Sequence, residues 1–283
     1  MADETQQTPI ASTIHGATAF YERIDTDAFA ATEATMSPWD EGLQHGGPAT
    51  ALLAWAIEER HPQPAMRLAR VAIDFLGGIP RDICRIRTRI IRPGRRIELL
   101  EATLESRGRD AVIARVWRIA TQERGSVPPG ITPPEAVPPL APAETEIHFG
   151  DWGYGAALEW RFVSGAGLSG VGPSQVWTRV RIPLVAGVAL RPIDRLLVAV
   201  DSANGISPEL RFTDWLFVPP SLSVALQRYP EGEWTFIRAH TTLSDDGAGV
   251  TNAELADRDG YLGFASQALY VEPRKNGDDA TPR

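Results

Sequence analysis

An aspartate closes one of the most apolar stretches of this chain: Asp201 follows LLVAV, in what reads as the last turn of a buried helix. A carboxylate there opposes the helix dipole, which costs roughly 0.3–1 kcal/mol when exposed and more when buried. Poor solvation raises a carboxyl pKa, and a raised carboxyl suits a general base near neutral pH. The alternative is local: Asp201 bonds the amides of Ser202 or Gly205 and caps its own turn. Gln267, in FASQALYV, is a second misplaced polar group, because it shares a strand face with Ala265, Leu269 and Val271 and needs a buried partner. His45-Gly46-Gly47 precede an apolar helix, whose first amides form an electropositive site suited to an oxyanion, or simply a bare cap. Glycines there let a ligand approach the backbone. No Gly-x-Ser-x-Gly elbow occurs, and Cys84 sits in a strand-like segment with no histidine nearby in sequence. His15, His45, His61, His148 and His240 show no metal-ligand spacing, so neither metal nor cofactor is expected.

Those residues belong to a unit that occurs twice. A helix-like block and four strand-like segments span about 48–121, and a degraded copy spans about 192–272. Leu52-Leu53 match Leu196-Leu197, Pro80 matches Pro230, and Gly108 matches Gly260, with offsets drifting as loop insertions would cause. The first helix is expected to start at Pro48 and to end before Pro62, apolar nearly all round and therefore buried. The second is expected from near Pro192 to Asn204-Gly205, a good helix terminator. Most other segments alternate with period two, as Val71/Ile73/Phe75 and Leu222/Val224/Leu226 do. The expected class is α+β: two tandem copies of a curved antiparallel sheet wrapped around a long helix. The expected bounds are 13–124 for the first copy, 125–146 for a proline-rich linker, 147–274 for the second copy and 275–283 for a tail. Two such copies create an interface, where pockets form.

Composition narrows the function classes. A net charge of −8 argues against general nucleic-acid binding. No apolar run of about 18 residues exists, so no spanning helix is expected. The opening MADETQQTPIAS lacks the order of a secretory signal, and a single cysteine excludes an internal disulfide, so a cytoplasmic protein is expected. Arg85, Arg87, Arg89, Arg92, Arg95 and Arg96 form a basic stretch, either the solvated face of a strand or a set of phosphate contacts.

QHGGPATALLAWAIE, VAIDFLGGIP, RPGRRIE, ATLESRGRDAVIARVW and DGYLGFASQALYV, in this order and spacing, resemble the thioesterase-like double hot-dog proteins related to type II acyl-CoA thioesterases. The resemblance covers about 35–274. It implies hydrolysis of an acyl-CoA thioester at the interface of the halves, by a water held by Asp201 and Gln267. A third polar side chain belongs to that pattern, but Pro219 stands in its place, and a proline offers no donor. Ser221 or Ser223 would then substitute, Ser221 being the nearer. The resemblance further implies an oxyanion site at His45, Gly46 and Gly47, CoA phosphates met by Arg92 and Arg95, and a homodimer or higher homo-oligomer. Two other readings follow from the departures. Pro219 fits a non-catalytic acyl-ligand binding protein with a decayed site. Asp40 and His45 have the five-residue separation of enoyl-CoA hydratase pairs, although Gly42 and Leu43 replace the Asn and Pro that accompany them.

Overall fold

A computed structural model of the chain describes residues 14–123, 136–143, 146, 152–165 and 170–274. The expected polar ends, 1–12 and 275–283, lie outside the described residues, as does most of the proline-rich segment. The first half contains β1 (Tyr21–Arg23), β2 (Ala28–Ala31), β3 (Leu43–Gln44), α1 (Gly46–Arg60), β4 (Met66–Phe75), β5 (Ile79–Pro80), β6 (Ile83–Arg92), β7 (Ile97–Ser106) and β8 (Arg109–Ala120). The second contains α2 (Gly153–Ala156), β9 (Leu158–Ser164), β10 (Ser174–Val180), α3 (Pro192–Val200), α4 (Ala203–Ile206), β11 (Trp215–Leu226), β12 (Trp234–Leu243), β13 (Ala248–Asp257) and β14 (Gly260–Pro273).

The duplication is visible in this order. Each half runs one long helix and then four long antiparallel strands, and the last hairpin of each turns at a glycine with positive φ, Gly108 at 74° and Gly260 at 114°. A side chain at such a turn would be strained, which is why glycine recurs there. The two sheets join through β4 and β11 into one 12-stranded sheet, so Leu222 lies opposite Ile73 and Val224 opposite Val71, all four buried. This sheet curves around α1 and α3, which pack on each other in the core. The α+β double hot-dog is the fold. No helix among the described residues is long and apolar enough to cross a membrane.

α1 is buried from Gly47 to Ile57, as its all-round apolar sequence requires. α3 ends earlier than expected, at Val200, and the chain turns at Asp201-Ser202 before the short α4 takes up Asn204-Gly205. Asp201 therefore stands at a break between two helices, not inside the last turn of one. The halves also exchange chain and charge: Phe20 and Tyr21 donate to the carbonyls of Pro183 and Leu184, and Glu58 of α1 meets Arg191 at 2.9 Å. Residues 136–143, expected to be linker, pack Ala141, Leu140 and Val137 on Trp177 and Phe236. On β6, Cys84 and Ile86 are buried while Arg85, Arg87 and Arg89 point outward to Asp27, Glu105 and Glu101. At 55–70% exposure those pairs contribute little stability, and the solvated strand face is the reading that holds for them.

Candidate active site

Asp201 is the C-cap of α3 and is only 5% exposed. The helix that precedes it presents the wrong end of its dipole, but the N-terminus of α1 lies opposite and supplies the right one. The Gly46 and Gly47 amides lie near enough to stabilise the carboxylate, the Gly47 N–H being shared with His45 Nδ1, and Gln267 Nε2 donates to its Oδ1 at 3.1 Å. Burial outweighs these donors: desolvation raises the carboxyl from 3.8 to about 7, with the bonds from Gln267, Gly47 and Gly46 pulling it back.

His45 caps α1, its Nδ1 accepting from the Gly47 amide at 3.1 Å. With Nδ1 used as an acceptor, the neutral ring carries its proton on Nε2. Nδ1 also lies 3.3 Å from Asp201 Oδ2. That is ion-pair distance, yet the two groups do not form an ion pair. Burial lowers the imidazole to about 3, so near neutral pH the contact is between a neutral ring and a carboxyl group titrating close to 7. Two lone pairs face each other unless one proton lies between them, which further favours the protonated acid. The ring is fixed by Tyr154, stacked on it with centroids 3.7 Å apart and planes 4° apart. The Tyr154 hydroxyl donates to Val198 O at 2.8 Å and contacts Ser202 Oγ at 2.7 Å, which ties the stack to the turn bearing Asp201.

Gln267 comes to the site in a different role from the one expected. Its Nε2 bonds both Asp201 Oδ1 and Asp201 O, each at 3.1 Å, and its Oε1 accepts from the Asn204 amide at 3.1 Å. Both amide hydrogens are thus committed to Asp201. The side chain is fully buried and holds the acid, with no N–H left for a water. Asn204, read from sequence only as a helix terminator, also lines the cleft beside Asp201, its side-chain amide donating to Phe217 O at 3.4 Å. Its place three positions after a buried acid was the signal available for it.

The cleft has a volume of about 490 Å3 and is lined by Asp201, His45, Gly46, Asn204, Phe75 and the Gly77-Gly78 loop, with Val218, Pro219 and Pro220 of β11 on the far wall. Pro219 therefore does occupy the site. Ser221 does not: it lies opposite Asp74 and Ala268, on the sheet face turned away from the helices, because its neighbour Leu222 points inward. Ser223 shares that outer face and accepts from Arg70 at 3.2 Å. Arg92 and Arg95 also stand away from the cleft. Cys84 touches Gln44 at the cleft wall, and Arg92 is eight residues further along β6, roughly 26 Å at the rise of a strand. A cation beside the rim is Arg109, which donates to the carbonyl of Gly78. Asp40 lines the cleft too, but it is exposed and caps its own loop by accepting from the Gly42 amide at 2.7 Å. Among the described residues no three His, Cys, Asp or Glu side chains converge on a metal position.

The chain was compared with known proteins. Residues 35–119 match a family model described as the acyl-CoA thioesterase N-terminal domain, and residues 134–271 match its C-terminal counterpart. No curated protein matches the sequence. Among solved structures, a putative thioesterase II from Thermobifida fusca superposes with a TM-score of 0.70 at 18% identity, covering 90% of this chain and 96% of that one. A conserved hot-dog protein of unknown function from Alicyclobacillus acidocaldarius gives 0.69 at 17% identity, covering 88% and 95%. An acyl-CoA thioesterase II from Mycobacterium marinum gives 0.64 at 15% identity, covering 91% and 96%. At these identities the superpositions speak for the fold, and the two family models, in their proper order along one chain, for the lineage: the protein belongs to the acyl-CoA thioesterase family of double hot-dog proteins.

Proposed function

We propose that the protein hydrolyses acyl-CoA thioesters with Asp201 as general base. The observation that carries the reading is a buried carboxyl group near pKa 7 at the wall of a cleft between the two halves. In its ionised form Asp201 accepts a proton from a water lying against it as that water attacks the thioester carbonyl. The Gly46 and Gly47 amides hold the carboxylate in this role, which replaces the oxyanion role expected of them. Charge developing on the substrate oxygen then falls to the His45 Nε2–H and to the Asn204 side-chain amide, which also makes a long 3.4 Å bond to Phe217 O; both residues line the cleft. Asn204 thereby stands in for the polar group that Pro219 lacks. The CoA end lies along the cleft toward Arg109.

Purified protein is expected to release free thiol from an acyl-CoA panel, with kcat/KM rising tenfold per pH unit up to about 7 and flat above. The direction follows from the base being active when deprotonated. His45, lowered to about 3, adds no second step in that range. Absence of thiol release across the panel, with tight acyl-CoA binding, would favour the binding-protein reading that Pro219 motivates.

Gln267→Leu separates holding the acid from aiming the water. It removes the donor to Oδ1, so the pH midpoint is expected to move above that of the wild type, with kcat/KM lower by about 10²-fold on the plateau because the base is no longer held in place. The Asn204 amide and Asp201 carbonyl lose a buried partner, at about 1–3 kcal/mol of stability. An unchanged midpoint would show that Gln267 does not act through Asp201.

A further inference from the structure

A second cavity adjoins the cleft, and the two meet at Trp39, His45 and Asn204, which line both. They differ in size, while both are walled mostly by apolar side chains. The cleft, at about 490 Å3, carries Ser37, Asp40 and Gln44 beside Phe75, Ile79 and Val218 in its walls. The second cavity measures about 40 Å3 and is walled by Trp39, Trp152, Tyr154, Trp160 and Phe212. Two of these rings have their polar edges used elsewhere. The Trp160 indole donates to Gly155 O at 3.3 Å and the Tyr154 hydroxyl to Val198 O at 2.8 Å. Trp39 is held by stacking on Phe212 at 4.7 Å.

A thioester has two ends, and the smaller cavity has room for only one of them. The pantetheine arm and phosphates of CoA are long, polar and charged, and a small aromatic chamber excludes them on both size and desolvation. The cleft must take them. The acyl group is left with the chamber, beyond the junction where Asn204 and His45 stand. A single water needs roughly 10–15 Å3, so the chamber accepts a few non-hydrogen atoms and no long chain. The geometry points to a short-chain acyl group, about the size of acetyl to butyryl, as the substrate class of this site. This rests on the thioester-hydrolase reading above and adds to it which thioester is taken.

The test is kcat/KM for acetyl-, butyryl-, octanoyl- and palmitoyl-CoA. Each methylene that overfills an apolar pocket is worth roughly tenfold or more, so octanoyl-CoA is expected at least about 100-fold below butyryl-CoA. Trp152 and Phe212 are half-buried wall residues on separate elements, and Trp152→Ala and Phe212→Ala should each shift the optimum toward octanoyl-CoA. Palmitoyl-CoA turned over within tenfold of butyryl-CoA, or a chain-length ranking unmoved by both variants, overturns the inference while leaving the hydrolase reading intact. If no thioester is cleaved, the hydrolase reading fails and binding decides the chamber. Quenching of tryptophan fluorescence by butyryl-CoA at lower concentration than by palmitoyl-CoA upholds it, and equal or tighter palmitoyl-CoA binding overturns it.

Discussion

Asp201→Asn is expected to lower kcat/KM about 10²–10⁴-fold, the range for loss of a general base, and to remove a pH dependence of stability at the same time. The second effect follows from the first by linkage. Asp201 titrates at about 7 in the folded protein against an ordinary 3.8, so the folded state holds a proton that the unfolded state has released over that interval. A raised folded pKa contributes stability that is complete below about pH 4 and is lost as pH rises through about 7. At about 1.36 kcal/mol per pH unit, the interval amounts to roughly 4 kcal/mol. The asparagine variant does not titrate there, and His45, neutral in both proteins near pH 7, cancels. The unfolding free energy of the wild type minus that of the variant should therefore fall by roughly 4 kcal/mol between pH 4 and pH 8. Denaturant titrations at the two pH values measure it. The absolute offset between the proteins is not the test, because the asparagine oxygen can keep the Gln267 bond while its nitrogen, in place of Oδ2, gains His45 Nδ1 as an acceptor. A difference that stays constant with pH would mean that Asp201 ionises normally, and the proposed base would be lost with it.

Much of this candidate site was legible in the sequence, for identifiable reasons. Asp201 stood out because a carboxylate at the end of LLVAV is costly, and cost without local benefit marks a group held for another purpose. Gln267 stood out because the strand's alternation turned it toward the core. The fold followed from two helix-plus-strand units whose last hairpins both turn on glycine. Other parts were beyond a periodicity argument. Where α3 stops depends on the N-terminus of α1, which lies more than 150 residues earlier in the chain and supplies the amides that let the helix end at Asp201. Gln267's role depends on counting its hydrogen-bond partners, and sequence shows a side chain's face but not its partners. The chamber joins Trp39 to Trp152 and Phe212 across both halves, so eight tryptophans in composition could not say which ones meet. Ser221 is instructive in another way. Its alternation with Leu222 already placed it on the opposite face from the core, and pairing with Asp74 carries that through. Arg92 and Arg95 were grouped with the cleft by their charge, whereas the length of β6 separates them from it.

Gly47→Ala is expected to be the most destabilising single-methyl change at the site. A Cβ at residue 47 would lie 2.1 Å from the carbonyl oxygen of Val198, where α1 and α3 cross. Neither partner can swing aside, since both are helix backbone, and relief requires the two central helices to separate. Overpacking in a core typically costs about 1–3 kcal/mol; with backbone on both sides the upper end is expected, against which alanine's better helix propensity returns less than about 1 kcal/mol. For a chain of this size about 3 kcal/mol corresponds to a Tm lower by roughly 6–12 °C. Gly46→Ala supplies the contrast. Its Cβ would meet Phe75 Cζ at 2.6 Å and Asp201 Oδ2 at 2.7 Å, both side-chain atoms that can move. The fold should survive that change with a smaller loss of Tm, while activity falls, because the acid is pushed from the amides and from the Gln267 bond that fix it. Thermal unfolding and kcat/KM measured on both variants separate the two roles of adjacent glycines, one spacing the helices and the other leaving room for the carboxylate. Equal Tm losses would mean that the helix crossing yields at residue 47 as readily as side chains do at residue 46, and the rigid contact between the halves would not be what positions Asp201.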